Sequence, residues 1–295
     1  MNKNNLNLAW FITGLTEAEG CFNINIYKTK AGKKTAKLRF SIAVMENDLE
    51  LLKLVKEYFN CGVISESRTN GMRHFTVSKI SNINDIIIPH FQSYLLRGTK
   101  LLDLKDWVSA ADIITTKSHL TEEGIKNLQL LFDGMNRKRN KLSNFLPDHC
   151  NKDSSLYIPI NGNYISGFIA GDGSINIHPF SLTFDTSKFC SIFLSLTQHK
   201  DNILLMNEIK DYFNVNNKLK IQSNNSVQLM IENKEFFKST LIPFFNEYKL
   251  YGIKLNNLNK IIKILSIIEK YNINRSNSYT SEIRKEIINI WFAES

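Results

Sequence analysis

Two acidic residues occupy equivalent places in two copies of one short sequence pattern. The first copy is ITGLTEAEG at residues 12–20, and the second is ISGFIAGDG at residues 165–173. Each copy runs from apolar and small residues to a carboxylate, Glu19 or Asp172, that a glycine follows at once. Two hard oxygen ligands of this kind suit a divalent cation such as Mg²⁺, which binds through one or two carboxylates plus water and phosphate oxygens.

Each copy is typical of a short apolar helix that ends at the following glycine, Gly20 or Gly173. The carboxylate then lies in the last helical turn, where the helix dipole disfavours a negative charge by about 0.3–1 kcal/mol. A carboxylate placed twice against this dipole indicates a cation near each one. Small residues four positions apart also permit close approach of another backbone: Gly14 with Ala18, and Gly167 with Gly171.

Alternating apolar and polar residues after each predicted helix indicate pairs of antiparallel strands. In the first strand Phe22 and Ile24 share one face while Asn23 and Asn25 share the other, so the outer face is rich in amides. The predicted strands cover residues 21–28, 37–44, 63–68 and 72–79 in the first half, and 174–178, 190–198, 217–223 and 226–232 in the second.

The second half repeats the order of the first, which indicates an internal duplication. The pattern Tyr-x-Leu-x-Gly-x-Lys occurs twice, ending at Lys100 and at Lys254. In each half a helix is expected after the second strand, capped by Asp48 in the first and started by Asp201 in the second. The sequence therefore predicts an N-terminal half at 1–118, a linker with one helix and a basic run at 119–160, and a C-terminal half at 161–295.

The composition favours a polyanionic partner, because the formal net charge is +9 over 295 residues. No uninterrupted apolar run approaches the roughly 18 residues of a membrane span. The four cysteines lack paired spacing, so neither a zinc site nor a disulfide framework is expected. The N-terminus lacks the plan of a secretory signal or transit peptide. Abundant Asn, Ile and Lys are typical of an A/T-rich genome such as that of an organelle.

With two such nonapeptides half a chain apart, each before an amide-rich strand pair, the chain resembles the LAGLIDADG homing endonucleases in their single-chain, two-motif form. The resemblance covers about residues 8–290 and includes both Tyr-x-Leu-x-Gly-x-Lys segments and the linker run from His119 to Gly124. It implies an α/β (α+β) fold of two pseudo-symmetric αββαββα halves. Each half has a saddle-shaped antiparallel sheet, and the two LAGLIDADG helices pack side by side at the interface.

The internal repeat distinguishes between the acids of the motifs. Glu17 has Ala170 as its counterpart, so only Glu19 and Asp172 are shared and are the expected catalytic, metal-binding carboxylates. The resemblance implies Mg²⁺ as the ion, with Mn²⁺ able to substitute and Ca²⁺ supporting binding without cleavage. It also implies that two backbone carbonyls complete the coordination, those of Ala18 and Gly171.

Further positions resemble residues that surround the attacking water in this family. Lys100 and Lys254 are expected to position the water and to stabilise the phosphate in the transition state. Gln198 ends the second strand of the second half. In the first half strand alternation gives Glu46 as its counterpart, whereas counting back from the next helix gives Met45. The two strand cuts are therefore expected to differ in rate.

Polar residues on the outer faces of the strands are expected to read DNA in the major groove, which admits a two-stranded ribbon. Asn and Gln can bind adenine bidentately, while Arg and Lys can read guanine or hold phosphate. The candidates are Asn23, Asn25, Tyr27, Lys37, Arg39, Ser41, Arg68 and Arg73 in the first half, and Ser174, Asn176, His178, Lys218, Lys220, Gln222 and Gln228 in the second.

The resemblance implies a monomeric, site-specific endonuclease that is encoded within an intron and cuts both strands of a long asymmetric DNA target. The cuts are expected to leave short 3′ overhangs. An alternative function is that of a maturase, which binds intron RNA during splicing with or without cleavage. A third alternative is a catalytically inactive DNA-binding module, which the intact Glu19 and Asp172 disfavour. A mitochondrial origin is expected, with no membrane partner.

Overall fold

The computed structural model describes residues 3–66, 71–139, 145–178, 191–273 and 280–293. The N-terminal half contains helix α1 (Lys3–Glu19), strands β1 (Gly20–Lys28) and β2 (Lys34–Met45), a 3₁₀ turn (Glu46–Asp48), helix α2 (Leu49–Phe59), and strands β3 (Val63–Glu66) and β4 (Met72–Val77). It continues with α3 (Ile80–Asn82), a π-helical turn (Ile83–Ile87), α4 (Ile88–Ser93) and α5 (Lys100–Thr115).

The second half repeats this order after a linker helix, α6 (Glu122–Asp133). It contains helix α7 (Gly162–Asp172), strands β5 (Gly173–His178) and β6 (Ser191–His199), a 3₁₀ turn (Lys200–Asn202), helix α8 (Ile203–Tyr212), and strands β7 (Lys220–Ile221) and β8 (Ser226–Ile231). Then come α9 (Lys234–Phe236), a π-helical turn (Phe237–Leu241), α10 (Ile242–Glu247), α11 (Ile253–Lys270) and a further helix, α12 (Ser281–Phe292).

Each half forms one antiparallel sheet, with strand orders β1-β2-β4-β3 and β5-β6-β8-β7. The first two strands pair in an equivalent way in both sheets: the motif glycine Gly20 pairs with Ile42, and the motif glycine Gly173 pairs with Leu196. The inward-facing residues of the strands, such as Phe22 and Phe40, join a continuous apolar core that extends through both halves. The predicted fold of two pseudo-symmetric halves is confirmed.

The two motif helices, α1 and α7, pack against each other at the centre of this core. A Cβ added at Gly14 would overlap the backbone carbonyl of Tyr164, and one at Gly167 would overlap that of Phe11. The backbones thus approach so closely that only glycine fits at the crossing. This contact confirms the predicted packing and brings the C-terminal ends of both helices to one place.

Two predicted helix termini form differently from the sequence expectation. Gly173 does not adopt the left-handed geometry of a C-terminal cap, since its φ is −75° and its ψ is 147°. The helix passes directly into β5, as α1 passes directly into β1. The prediction that Asp48 caps α2 is wrong, because its side chain makes no hydrogen bond to that helix. It accepts one from the backbone N–H of Ile253 in the other half, at 2.7 Å.

The linker helix begins as predicted, because the Thr121 hydroxyl accepts a hydrogen bond from the Gly124 N–H at 3.0 Å. The basic run after this helix is bound by acidic residues of the N-terminal half. Arg139 forms ion pairs with Asp103 at 2.9 Å and Asp106 at 2.6 Å on α5. Among the residues described, no helix has both the length and the hydrophobicity needed to cross a membrane.

Candidate functional site

Glu19 and Asp172 lie at the adjoining ends of α1 and α7. Glu19 is the last residue of α1 and Asp172 the last of α7. A Cβ added at Gly171 would stand 3.1 Å from the Cγ of Glu19, so the first carboxylate lies beside the backbone that carries the second. Both side chains are half-buried. The structure therefore brings together the two acids that the repeat singled out.

Both carboxylates hold protons more tightly than free side chains do. Burial raises the pKa of Glu19. Burial, and then the nearby negative charge of Glu19, raise the pKa of Asp172 to about 6. Two acids that are desolvated together in this way favour a bound cation, because a cation offsets both penalties.

Two lysines supply positive charge at the same place. The Nζ of Lys100 donates to the carbonyl oxygens of Thr16, at 2.9 Å, and Ala18, at 3.2 Å. The Nζ of Lys254 donates to those of Ala170 and Gly171 in the other half. The two carbonyls expected to coordinate metal, those of Ala18 and Gly171, thus already accept hydrogen bonds from cations.

Each lysine acts electrostatically across the interface between the halves. Lys254 opposes the raised pKa of Glu19 more strongly than Lys100 does. Conversely, Lys100 opposes the raised pKa of Asp172 more strongly than Lys254 does. Each carboxylate therefore lies within the electrostatic reach of both lysines, one from each half.

Gln198 belongs to the group around Asp172. Its Nε2 donates to the Asp172 carboxylate, and its Oε1 accepts from the Nδ2 of Asn202 at 3.0 Å. Gln198 pairs with Val227 of β8, two residues beyond the pair Leu196–Leu229. In the first sheet the pair Ile42–Phe75 is equivalent to Leu196–Leu229, so the counterpart of Gln198 is Val44. Val44 is apolar and buried.

The expectation that Glu46 or Met45 matches Gln198 is wrong. Strand register places both residues beyond the equivalent position, and Met45 is exposed. Glu46 forms an exposed ion pair with Arg73, with a 2.5 Å contact between Oε2 and the Arg73 Nε. The sequence could not show this, because the offset depends on pairing with β1 and β4.

The outer face of the first sheet carries most of the DNA-contact candidates of that half. Asn23 pairs with Arg39, Asn25 with Lys37, and Cys21 with Ser41, so these residues share one face with Tyr27. Lys37 also lies over the Tyr27 ring, with Nζ 5.4 Å from its centroid. The amide-rich face predicted from the alternation is therefore present.

Two candidates of the first half are not placed on this face. Arg73 pairs with Val44 and points to the opposite, core-facing side, where Glu46 and Glu66 bind it at the edge of the sheet. Arg68 lies outside the described residues. The register instead adds two residues of β4 that the sequence reading missed, His74 and Thr76.

The outer face of the second sheet carries Ser174, Asn176 and His178. Gln228 lies on this face opposite Thr197 and Lys220, and its Nε2 donates to the Ser195 hydroxyl at 2.8 Å. Gln222 follows the short β7 and donates to Gln228 at 3.0 Å, while Lys218 is exposed but precedes the strand. The strand register adds three residues to this face that the sequence did not single out: Phe193, Ser195 and Thr197. The Phe193 ring stacks on the His178 ring, with 4.5 Å between their centroids.

Comparison with known proteins identifies the family. The family model for the LAGLIDADG endonuclease matches residues 12–111 and, separately, residues 165–265. The chain belongs to the LAGLIDADG endonuclease family. Both matched segments contain a motif helix, a sheet and the lysine that follows, so the resemblance seen in the sequence is confirmed.

Relatives of this chain include "Probable intron-encoded endonuclease 2" of Neurospora crassa, which is 30% identical over 88% of the chain. The chain spans 60% of that relative's length. Among solved structures, I-LtrWI bound to target DNA matches with a TM-score of 0.82 and 26% identity, over 99% of both chains. I-SmaMI bound to uncleaved DNA in the presence of calcium ions matches with a TM-score of 0.79 and 24% identity, over 96% of this chain and 97% of that one.

The oxygen atoms at the ends of the two motif helices fit a hard cation. Within the described ranges no group of three or more His, Cys, Asp and Glu residues is arranged to hold a metal ion. A metal ion at Glu19 and Asp172 would need further oxygen ligands, and the nearby carbonyls of Ala18 and Gly171 each bind a lysine Nζ in this structure. A set of carboxylate and carbonyl oxygens suits Mg²⁺, Ca²⁺ or Mn²⁺.

Proposed function

We propose that this protein is a site-specific homing endonuclease that hydrolyses both strands of a long, asymmetric DNA target and leaves short 3′ overhangs. The observation that carries the proposal is the meeting of Glu19 and Asp172 at the adjoining ends of the two motif helices, with Lys100 and Lys254 bound to the same helix ends. Two carboxylates, each with a lysine at the same helix end, give a single chain one reaction centre for each DNA strand, so the protein acts as a monomer.

Glu19 and Asp172, with the carbonyl oxygens of Ala18 and Gly171, would hold Mg²⁺. Such ions supply Lewis-acid chemistry, acidifying water for in-line attack and neutralising charge on the leaving oxygen. We infer that Mn²⁺ can replace Mg²⁺ and that Ca²⁺ supports DNA binding without cleavage. The uncleaved DNA complex of I-SmaMI with calcium ions supports the second inference.

The surrounding side chains orient the reacting groups. The ammonium groups of Lys100 and Lys254 would stand beside the phosphate, where a fixed positive charge stabilises the transition state. Gln198 holds the Asp172 carboxylate in one orientation through its amide N–H. Because the buried Val44 replaces it in the other half, we expect the cut at the Glu19 group to differ in rate from the cut at the Asp172 group.

The outer faces of the two sheets would lie in the major groove. Their side chains include amides and cations that can read base edges or hold phosphate. Since the two faces carry different residues, the target is asymmetric. The intron-encoded relative supports an origin within an organellar, most simply mitochondrial, intron. The abundance of Asn, Ile and Lys, which is typical of A/T-rich genomes, also supports it. Binding of intron RNA stays a prediction of the sequence.

A plasmid library of candidate intron-insertion sequences tests the proposal. We expect one insert class to be linearised in Mg²⁺ and in Mn²⁺, bound without cutting in Ca²⁺, and left intact with chelator. Cleaved ends are then sequenced to locate the two cuts. If no insert is linearised in Mg²⁺ while the protein is folded, the proposed activity is wrong.

A further inference from the structure

The helix that carries each active-site lysine begins against a side chain from the opposite half. In the second half, the Ile253 N–H at the start of α11 donates to the Oδ1 of Asp48 at 2.7 Å. In the first half, the Thr99 N–H before α5 donates to the Oδ1 of Asn202 at 2.8 Å. Both acceptors are buried, with 8% of each residue exposed.

These two bonds replace local helix caps. The first N–H groups of a helix have no partner within the helix and need an acceptor from outside it. The residues before the two helices, Thr99 and Gly252, make no side-chain cap bonds of their own. Gly252 has a φ of +77°, and a Cβ there would overlap the Asp48 carboxylate. The turn is therefore shaped to admit the acceptor from the other half.

The capped N–H lies one residue before the lysine in each case. Lys254 follows Ile253 and Lys100 follows Thr99, so the bond fixes the backbone from which the lysine extends toward the carbonyls of the motif helix. Asp48 and Asn202 each end the 3₁₀ turn that follows the second strand of a DNA-facing sheet. A rigid turn thus links each sheet to the lysine of the opposite half.

We propose that Asp48 and Asn202 are positioning residues, each of which sets the active-site lysine of the opposite half from the end of its own DNA-facing sheet. The proposal rests on the cleavage function proposed above and adds two residues outside its catalytic set.

Asn202 and Asp48 differ in the further contacts that their side chains make. Asn202 also donates from Nδ2 to Gln198, whose amide reaches Asp172, so one side chain connects the backbone before Lys100 with the Asp172 carboxylate. Asp48 has no glutamine at the equivalent place, because Val44 occupies it. Asn202→Asp keeps the acceptor for Thr99 and removes the donor to Gln198, and therefore separates the two roles.

Strand-resolved cleavage tests the proposal. The two strands are labelled separately, and single-turnover rates are measured in Mg²⁺, with Lys100→Ala and Lys254→Ala identifying the strand that depends on each lysine. We expect Asp48→Ala to slow the Lys254-dependent cut about tenfold or more, since small displacements of a catalytic group have effects of that size. Asp48→Asn, which keeps an acceptor, should restore the rate to within about threefold. Asn202→Ala should slow the other cut.

Two readouts separate positioning from general damage. DNA affinity in Ca²⁺ should be unchanged in all four variants at positions 48 and 202, and amide exchange in the metal-free protein should show the Ile253 N–H less protected in Asp48→Ala but not in Asp48→Asn. Thr121→Ala removes a cap from the linker helix, where the hydroxyl bonds to Ser118 and Gly124 and to neither lysine, and is the matched control. It should cost about 1 kcal/mol of stability and leave both strand rates unchanged.

The outcomes distinguish the two proposals. If the wild type cuts, equal slowing of both strands by Asp48→Ala, or unchanged rates in both Asp48→Ala and Asn202→Ala, would overturn the positioning role alone. Failure of Asp48→Asn to restore the rate would overturn the role of the hydrogen bond in favour of the Asp48 charge, which acts on Lys254. Absence of cutting by the folded wild type would overturn the cleavage function, and the positioning role with it.

Discussion

At the scale of single residues, the two motif carboxylates, Glu19 and Asp172, have different surroundings. Asp172 receives a hydrogen bond from Gln198 and has a pKa near 6, whereas the residue equivalent to Gln198 near Glu19 is the apolar Val44. The sequence predicted that the two carboxylates and the two lysines lie close together, because each belongs to a local pattern that recurs in the second half. It could not predict the counterpart of Gln198 or the orientation of Arg73, because both depend on strand register.

The raised pKa of Asp172 makes a prediction about stability without metal. Its unperturbed value is 3.8, and burial raises it to about 6. The folded state thus binds the proton more tightly than the unfolded state, so this group's contribution to stability falls as pH rises from about 4 to about 6. Asp172→Asn removes that loss and should raise the free energy of unfolding at pH 8 by on the order of 2 kcal/mol, with little change at pH 4.

Urea unfolding in the presence of chelator measures this difference. Asp133→Asn is the matched control, because hydrogen bonds from Gln129 and Lys138 lower the pKa of that exposed carboxyl. The control should not be more stable than the wild type at pH 8. An Asp172→Asn protein that is equally stable or less stable at pH 8 would contradict the conclusion that burial of the charged Asp172 carboxylate destabilises the fold.

At the scale of elements, the crossing of α1 and α7 positions the site. The small-residue stripes predicted this contact, and the structure shows that Gly14 and Gly167 each face the backbone of the other helix. The helices end before Gly20 and Gly173, as the sequence predicted. Gly173 is extended, however, and does not have the left-handed conformation that makes glycine common at helix ends. Local sequence shows where a helix ends, whereas its geometry there depends on the sheet that begins.

Gly14→Ala tests the crossing. The added methyl group meets the Tyr164 carbonyl, so we expect a loss of about 2–3 kcal/mol in the free energy of unfolding, together with weakened cleavage. Gly134→Ala is the control, because a Cβ there would stand 3.5 Å from its nearest neighbour, the Leu130 carbonyl oxygen. It should change stability by less than about 0.5 kcal/mol. Equal stability of the two variants would contradict close packing at Gly14.

At the scale of the whole molecule, contacts between the halves break the pseudo-symmetry. Arg97 is buried and donates to Glu208 on α8 of the other half, with 2.9 Å between its Nε and Oε2, and to the linker carbonyl of Ile158 at 2.9 Å. Its counterpart by the repeat is Tyr251, whose ring packs against Phe11. The repeat predicted two halves but not these contacts, because they join residues that differ between the copies.

A double-mutant cycle tests the contribution of this ion pair. Arg97→Ala leaves the mostly buried Glu208 unpaired and should lower the free energy of unfolding by about 3–5 kcal/mol. Arg97→Ala combined with Glu208→Ala should cost clearly less than the sum of the single changes. Strict additivity, measured by urea unfolding, would show that the pair does not couple the halves.

The most direct test of the account is strand-resolved cleavage of the DNA target by Glu19→Gln and Asp172→Asn in Mg²⁺. Each variant should lose double-strand cutting by about 10³-fold or more, because it removes a charged oxygen ligand from the reaction centre. Binding in Ca²⁺ should persist. Glu46→Gln, whose carboxylate pairs with Arg73 away from the site, should cut at the wild-type rate. Full cutting of both strands by either Glu19→Gln or Asp172→Asn would contradict the assignment of these carboxylates.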